Sequence, residues 1–93
     1  PKEFKLYSNF PNPFNPSTTI LYALPEKSHV SLQIYDILGK RIKVLVSESQ
    51  NMGHHSKIWD GPNEQGEIVS GGVYIYVLNA GSYYDTKKMI YMK

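Results

Sequence analysis

Three kinds of residue in this 93-residue chain could do chemistry: histidines, a loop of oxygen ligands, and aromatics. His54 and His55 are adjacent. On a strand, successive side chains point to opposite faces, so these imidazoles cannot chelate one metal together. They read as a solvated pair, and His29 stands alone. Asp60, Asn63 and Glu64, with Gly66, offer oxygens in one loop. A calcium loop alternates its carboxylates and places glycine at its sixth position, which this spacing does not match. The loop reads instead as a turn in which Asp60 accepts backbone N–H bonds and Gly61 relaxes φ. Trp59 and the tyrosines could stack on sugar rings. Yet Tyr74 and Tyr76 alternate as core strand residues do, and a single tryptophan suits a core of this size. No serine lies in Gly-x-Ser-x-Gly context, and there is no Gly-x-Gly-x-x-Gly or P-loop. The expectation is therefore no enzyme: no catalytic residues, no cofactor-binding residues, no cofactor and no metal ligands.

The elements that would position these residues are strands. Thr18, Ile20, Tyr22 and Leu24 alternate with Thr19, Leu21 and Ala23, which is strand period. Val30, Leu32 and Ile34 alternate with Ser31, Gln33 and Tyr35. Leu38-Gly39-Lys40 turns the chain, and Ile42, Val44 and Val46 follow at period two, which predicts a hairpin. Ser47 to Gly53 is polar and reads as a loop. His54 to Trp59 reads as a strand with His55, Lys57 and Trp59 facing inward, Lys57 snorkelling to water. Glu67 to Val69 is expected as a short edge strand, and Ser70-Gly71-Gly72 as a kink. Val73 to Leu78 is the strongest β segment, apolar on both faces. Asn79 to Ser82 is a loop, and Tyr83 to Lys93 is the last strand. Turn signals every 8–12 residues or so predict an all-β, antiparallel β-sandwich of about seven strands. The expected core is Ile20, Tyr22, Val30, Leu32, Ile34, Val44, Trp59, Tyr74, Tyr76 and Leu78.

Composition narrows the function classes. The chain is long enough for one small domain with one core, residues 1–93, with 1–10 as a lead-in from an upstream parent. It opens on Pro1 rather than Met, which reads as a piece of something longer. Net charge is +2 with the basic residues scattered, too little for a nucleic-acid surface. There is no cysteine, hence no disulfide and no thiol nucleophile. No apolar run reaches the roughly 20 residues of a membrane helix.

The motifs carry more. Pro11, Pro13 and Pro16 alternate with Asn12, Phe14 and Asn15 before the first strand. Proline pushes the preceding residue toward extended geometry, so this stretch is a rigid entry and not a helix. Asn12 to Ile20 resembles the opening motif of C-terminal sorting domains of the type IX (Por) secretion system. Val30 to Lys40, with Tyr35-Asp36 and Gly39, resembles that family's strand and turn. Trp59-Asp60-Gly61, Gly66 and Ser70-Gly71-Gly72-Val73-Tyr74 resemble its middle block, also shared with the Ig-like domain of flagellar hook-capping proteins. Lys87-Lys88-Met89-Ile90-Tyr91-Met92-Lys93 resembles its closing motif. Gly71-Gly72 carries one glycine more than the usual pattern, and Lys57 stands where a β-branched residue is common.

The resemblance implies a seven-stranded Ig-like sandwich that acts as an address label. Such a label sits behind an upstream cargo domain and is read by an outer-membrane translocon. The parent would pass through the periplasm of a Gram-negative cell, then reach the cell surface or medium, with glycolipid attachment after cleavage as one fate. Lys87, Lys88, Met89, Ile90, Met92 and Lys93 are the expected recognition segment. Lysines flanking a short apolar run discourage self-pairing while leaving backbone groups open to a chosen partner. The rival readings are an Ig-like spacer or adhesive module and a carbohydrate-binding module.

Overall fold

The period-two segments become strands, and their apolar phases decide which face turns inward. The structure is a computed structural model and describes residues 1–93. Seven strands run in order: β1 Lys5–Leu6, β2 Thr18–Leu24, β3 Ser28–Asp36, β4 Arg41–Gln50, β5 Gly53–Trp59, β6 Gly72–Ala80 and β7 Tyr83–Tyr91. They form two antiparallel sheets, β1-β2-β5 and β4-β3-β6-β7. One face of each sheet is apolar and must be hidden, so the two pack face to face as an Ig-like sandwich. Ile20, Tyr22 and Leu24 from one sheet meet Val30, Leu32, Ile34, Tyr76 and Leu78 from the other.

The core departs from its expected list at Val44, which is only half-buried. The β3–β4 register shifts twice, between Leu32 and Gln33 and between Ile34 and Tyr35. Each shift inserts an extra residue in β4 and breaks the period-two phase. Val44 consequently pairs with the outward Gln33, while Val46 pairs with Leu32 and is buried. Ile42 and Leu45 pack against the core in its place. Ser47 to Gln50 extends β4 rather than forming a loop. No strand forms over Glu67 to Val69, where Ile68 makes an isolated bridge to Pro62. The β6–β7 hairpin is tighter than expected, with Ala80 opposite Tyr83 and Gly81 at φ 60° in the turn.

Residues 1–10 are built into the sandwich. Leu6 and Asn9 are buried, and Phe4 stacks on Tyr83 with ring centroids 5.4 Å apart. The chain therefore enters at the end that holds Ala23 and Tyr83 and descends past β2. At the opposite end lie Trp59, Gly72 and Tyr91. The molecule is 37 Å along its longest axis.

Candidate functional site

The four motif blocks, dispersed in sequence, meet at that far end. Phe14 is fully buried although it lies in no strand. Its ring stacks on Tyr91 at 4.9 Å and meets Trp59 edge-on at 5.8 Å. Trp59 in turn contacts Tyr74 at 5.5 Å and Tyr91 at 6.0 Å. Each such aromatic pair adds roughly 0.5–1.5 kcal/mol beyond its buried area. Two of the polar ends are satisfied locally: Trp59 Nε1 donates to the Pro62 carbonyl at 2.9 Å, and the Tyr74 hydroxyl donates to the Ser70 carbonyl at 2.6 Å.

The proline-rich opening clasps the closing strand. Phe14 N donates to Ile90 O and Met92 N donates to Phe14 O, both at 2.9 Å. Ile90 N donates to Asn12 Oδ1, also at 2.9 Å. The segment thus lies parallel to the end of β7, bridging at Phe14 and Tyr91. Prolines suit this edge position because they need no ladder donor on the solvent side. The Phe10–Pro11, Asn12–Pro13 and Asn15–Pro16 bonds are cis. Pro11, Pro13, Asn15 and Pro16 are exposed or half-exposed around the buried Phe14.

Glycines make room for the same strand. Gly61 has φ 100°, and a Cβ there would lie 2.7 Å from the Tyr91 hydroxyl. A Cβ on Gly71 would lie 3.1 Å from the Tyr91 carbonyl and 3.3 Å from Lys93 N. The extra glycine of the Gly71-Gly72 pair therefore sits where the chain end passes closest. Gly39 serves the β3–β4 turn at φ 86°, beneath Asp36, whose Oδ1 accepts from Leu38 N and Lys40 N at 2.9 Å.

A second polar device ties the opening segment to the core. Asn9 N donates to the Tyr76 hydroxyl and that hydroxyl donates to the Tyr7 carbonyl, both at 2.8 Å. Asn9 Nδ2 donates to Thr18 Oγ1 at 2.9 Å. Burial pushes the Tyr76 phenol up to about 12, against the bond from Asn9. Tyr22, hydrogen-bonded to Gln50 and stacked on His55, is likewise raised to about 12 by burial.

Two details of the expected recognition segment change. Met89 faces the core and is fully buried, so it packs rather than contacts a partner. The backbone groups of Ile90 and Met92 are not open to a partner, because Asn12 and Phe14 already hold them. Lys88, Ile90, Met92 and Lys93 are exposed, and Lys87 is half-buried on the inner side. In the Asp60 to Gly66 loop it is Asn63, not Asp60, whose side chain caps the turn, accepting from Gln65 N and Glu67 N at 3.0 Å. The Glu64 carboxylate accepts from Val44 N. These oxygens are engaged by backbone. His54 and His55 point to opposite faces of β5, as read. Sequence reasoning missed the meeting of Asn12 and Phe14 with Ile90–Met92. Its one signal is a lone phenylalanine among prolines and asparagines.

Comparison with known proteins agrees with this architecture. Dimeric latent PorU from Porphyromonas gingivalis superposes with TM-score 0.74 at 24% identity, over 94% of this chain and 9% of that one. FlgD from Xanthomonas campestris gives 0.65 at 19%, over 94% and 64%. PorZ, a surface component of the Porphyromonas gingivalis type-IX secretion system, gives 0.60 at 18%, over 95% and 11%. At these identities the likeness is one of fold, and the chain matches only a part of each protein. No curated protein matches the chain. The model of the FlgD Ig-like domain matches residues 15–83, which takes in β2 to β6 and the start of β7, and the chain belongs to that Ig-like domain family.

Proposed function

We propose that this domain is a non-catalytic sorting label of a larger exported protein, read by outer-membrane machinery of the type IX kind. Its partner is a protein translocon, and its cargo is the polypeptide that precedes Pro1. The route runs through the periplasm to the surface of a Gram-negative cell, where the parent is released or joined to glycolipid. The observation that carries this reading is the clasp. The opening, middle and closing motifs spend their residues on holding one strand end, so Lys88, Ile90, Met92 and Lys93 form a fixed set of exposed side chains. That end lies away from Pro1, so cargo joined at Pro1 leaves it accessible. The fold shared with PorU and PorZ supports the same reading.

One observation favours a second reading, an Ig-like spacer. The closed backbone at Ile90 and Met92 denies a receptor the strand pairing that an open edge would provide. If a receptor reads the folded label, it therefore reads side chains. The test fuses residues 1–93 to an exported reporter in a host that has the machinery. Deleting Lys87 to Lys93 is uninformative, because it removes the buried Met89 and Tyr91. The substitutions Lys88→Glu, Ile90→Ser, Met92→Ser and Lys93→Glu change only exposed side chains. The sorting reading expects this fusion to melt close to the parent yet stay in the periplasm. Delivery of the folded variant to the surface would show that these four side chains are not the signal, and retention of the unsubstituted fusion in the periplasm would favour the spacer reading.

A further inference from the structure

The margins of the two sheets are finished unequally. In β7 the outward backbone groups belong to the even-numbered residues, as the bonds at Ile90 and Met92 show. Asp85 Oδ1 accepts from Thr86 N at 2.8 Å, while the outward groups of Tyr84 and Lys88 are bonded by no other segment. In β4 the Glu64 carboxylate and amide engage Val44 N and Ile42 O. Only its polar stretch around Ser47 and Ser49 is open. In the other sheet, the chain from Lys5 to Phe10 runs along β2.

β5 is open along its whole length. Tyr7 and Phe10 bond to Leu21 and Thr19 on the far side of β2, so the even residues of β2 face β5. Ile20 and Tyr22 therefore exchange bonds with Lys57 and His55, their register partners. That leaves the N–H and C=O groups of His54, Ser56 and Ile58 pointing outward, and no other strand or loop bonds to them. β5 has no register shift. Ile58 beside this margin is 67% exposed and Met52 just before it is 64% exposed. Its one charge is basic: from Asn51 to Trp59 there is Lys57 and no carboxylate.

We propose that the β5 margin is a docking edge for an extended, acidic-apolar segment of another protein, which adds as a strand beside His54–Ile58 and sets a carboxylate against Lys57. An unpaired, regular, partly apolar edge is a template for strand addition. The charge selects the partner. A second copy paired antiparallel about Lys57 would set the two lysines opposite each other, and like charges across a ladder disfavour pairing. An acidic strand gains the opposite term. This surface is separate from the closing strand, so its fate does not depend on the sorting reading.

The test titrates the 15N-labelled chain with two short peptides, one alternating valine with glutamate and one alternating valine with lysine. Amide shifts are expected at His54, Ser56 and Ile58, with the glutamate peptide bound about fivefold more tightly, as a single exposed charge contact allows. Lys57→Glu should reverse the preference. Ser56→Pro removes an outward donor that the β2 ladder does not use, and should abolish binding while the spectrum keeps its native dispersion. Equal binding of both peptides, shifts centred on Tyr84–Lys88 or Ser47–Ser49, or no binding would each overturn the proposal. So would concentration-dependent dimerisation that Ser56→Pro removes, since the occupant would then be a second copy.

Discussion

β5 and β7 are both marginal strands, yet β5 is open along its length and the end of β7 is closed. Along β7 the chain spends Asp85, Asn12 and Phe14 on covering backbone groups. Along β5 it spends nothing of the kind, and Lys57 is the one strongly basic side chain there. Specificity resides in different groups at the two margins. A closed margin presents only side chains, fixed in place, and suits recognition of a pattern such as Lys88, Ile90, Met92 and Lys93. An open margin presents backbone, which any strand can pair with, and must choose its partner by charge.

The largest losses of stability are expected in the aromatic cluster. Trp59→Ala should cost roughly 3–5 kcal/mol in denaturant unfolding, as large buried aromatics do. Phe14→Ala should cost about as much, roughly 3–5 kcal/mol, although Phe14 belongs to no strand. A Phe14→Ala variant as stable as the parent would show that the clasp contributes no packing. Alkaline pH acts on the buried phenols next. Tyr22 and Tyr76 are raised from 10.0 to about 12 in the folded chain. The unfolded chain loses these protons first, so stability is intact below about 10 and falls as pH rises toward about 12. Denaturant melts across that window should show the decline, and Tyr22→Phe should lessen it.

Glycine substitutions sharpen the contrast between strain and collision. Gly61→Ala adds strain at φ 100° and a Cβ 2.7 Å from the Tyr91 hydroxyl. It should cost about 1–3 kcal/mol and disturb β7. Gly39→Ala, at φ 86° with nothing within 4 Å, meets strain alone, about 1–2 kcal/mol. Thermal melts of the two variants should keep that order. The smallest effect is Asn12→Ala, which removes one partly solvated bond to Ile90 N and should cost about 0.5–1.5 kcal/mol.

Much of the sandwich was legible because burial on one face leaves period two in the sequence. Thr18–Leu24, Val30–Ile34 and Tyr74–Leu78 show it, and the phase of Trp59 was enough to orient β5. What escaped has physical causes. Val44 lies beyond a register shift that no local pattern announces. Ser47–Gln50 is polar because that part of β4 is a wet margin, so it read as a loop. Leu6 sits in a two-residue strand, too short to show a period. The clasp escaped because its bonds join residues as far apart as Asn12 and Ile90. The motifs were visible as motifs, but their shared purpose needed the third dimension.

Hydrogen exchange at individual amides tests most directly the claim that the opening motif locks the closing strand. Exchange should be slow at Ile90 and Met92, comparable with interior β6, and fast at His54, Ser56 and Ile58. Asn12→Ala should speed exchange at Ile90 selectively. Fast exchange at Ile90 and Met92 in the native chain, matching the β5 margin, would contradict it.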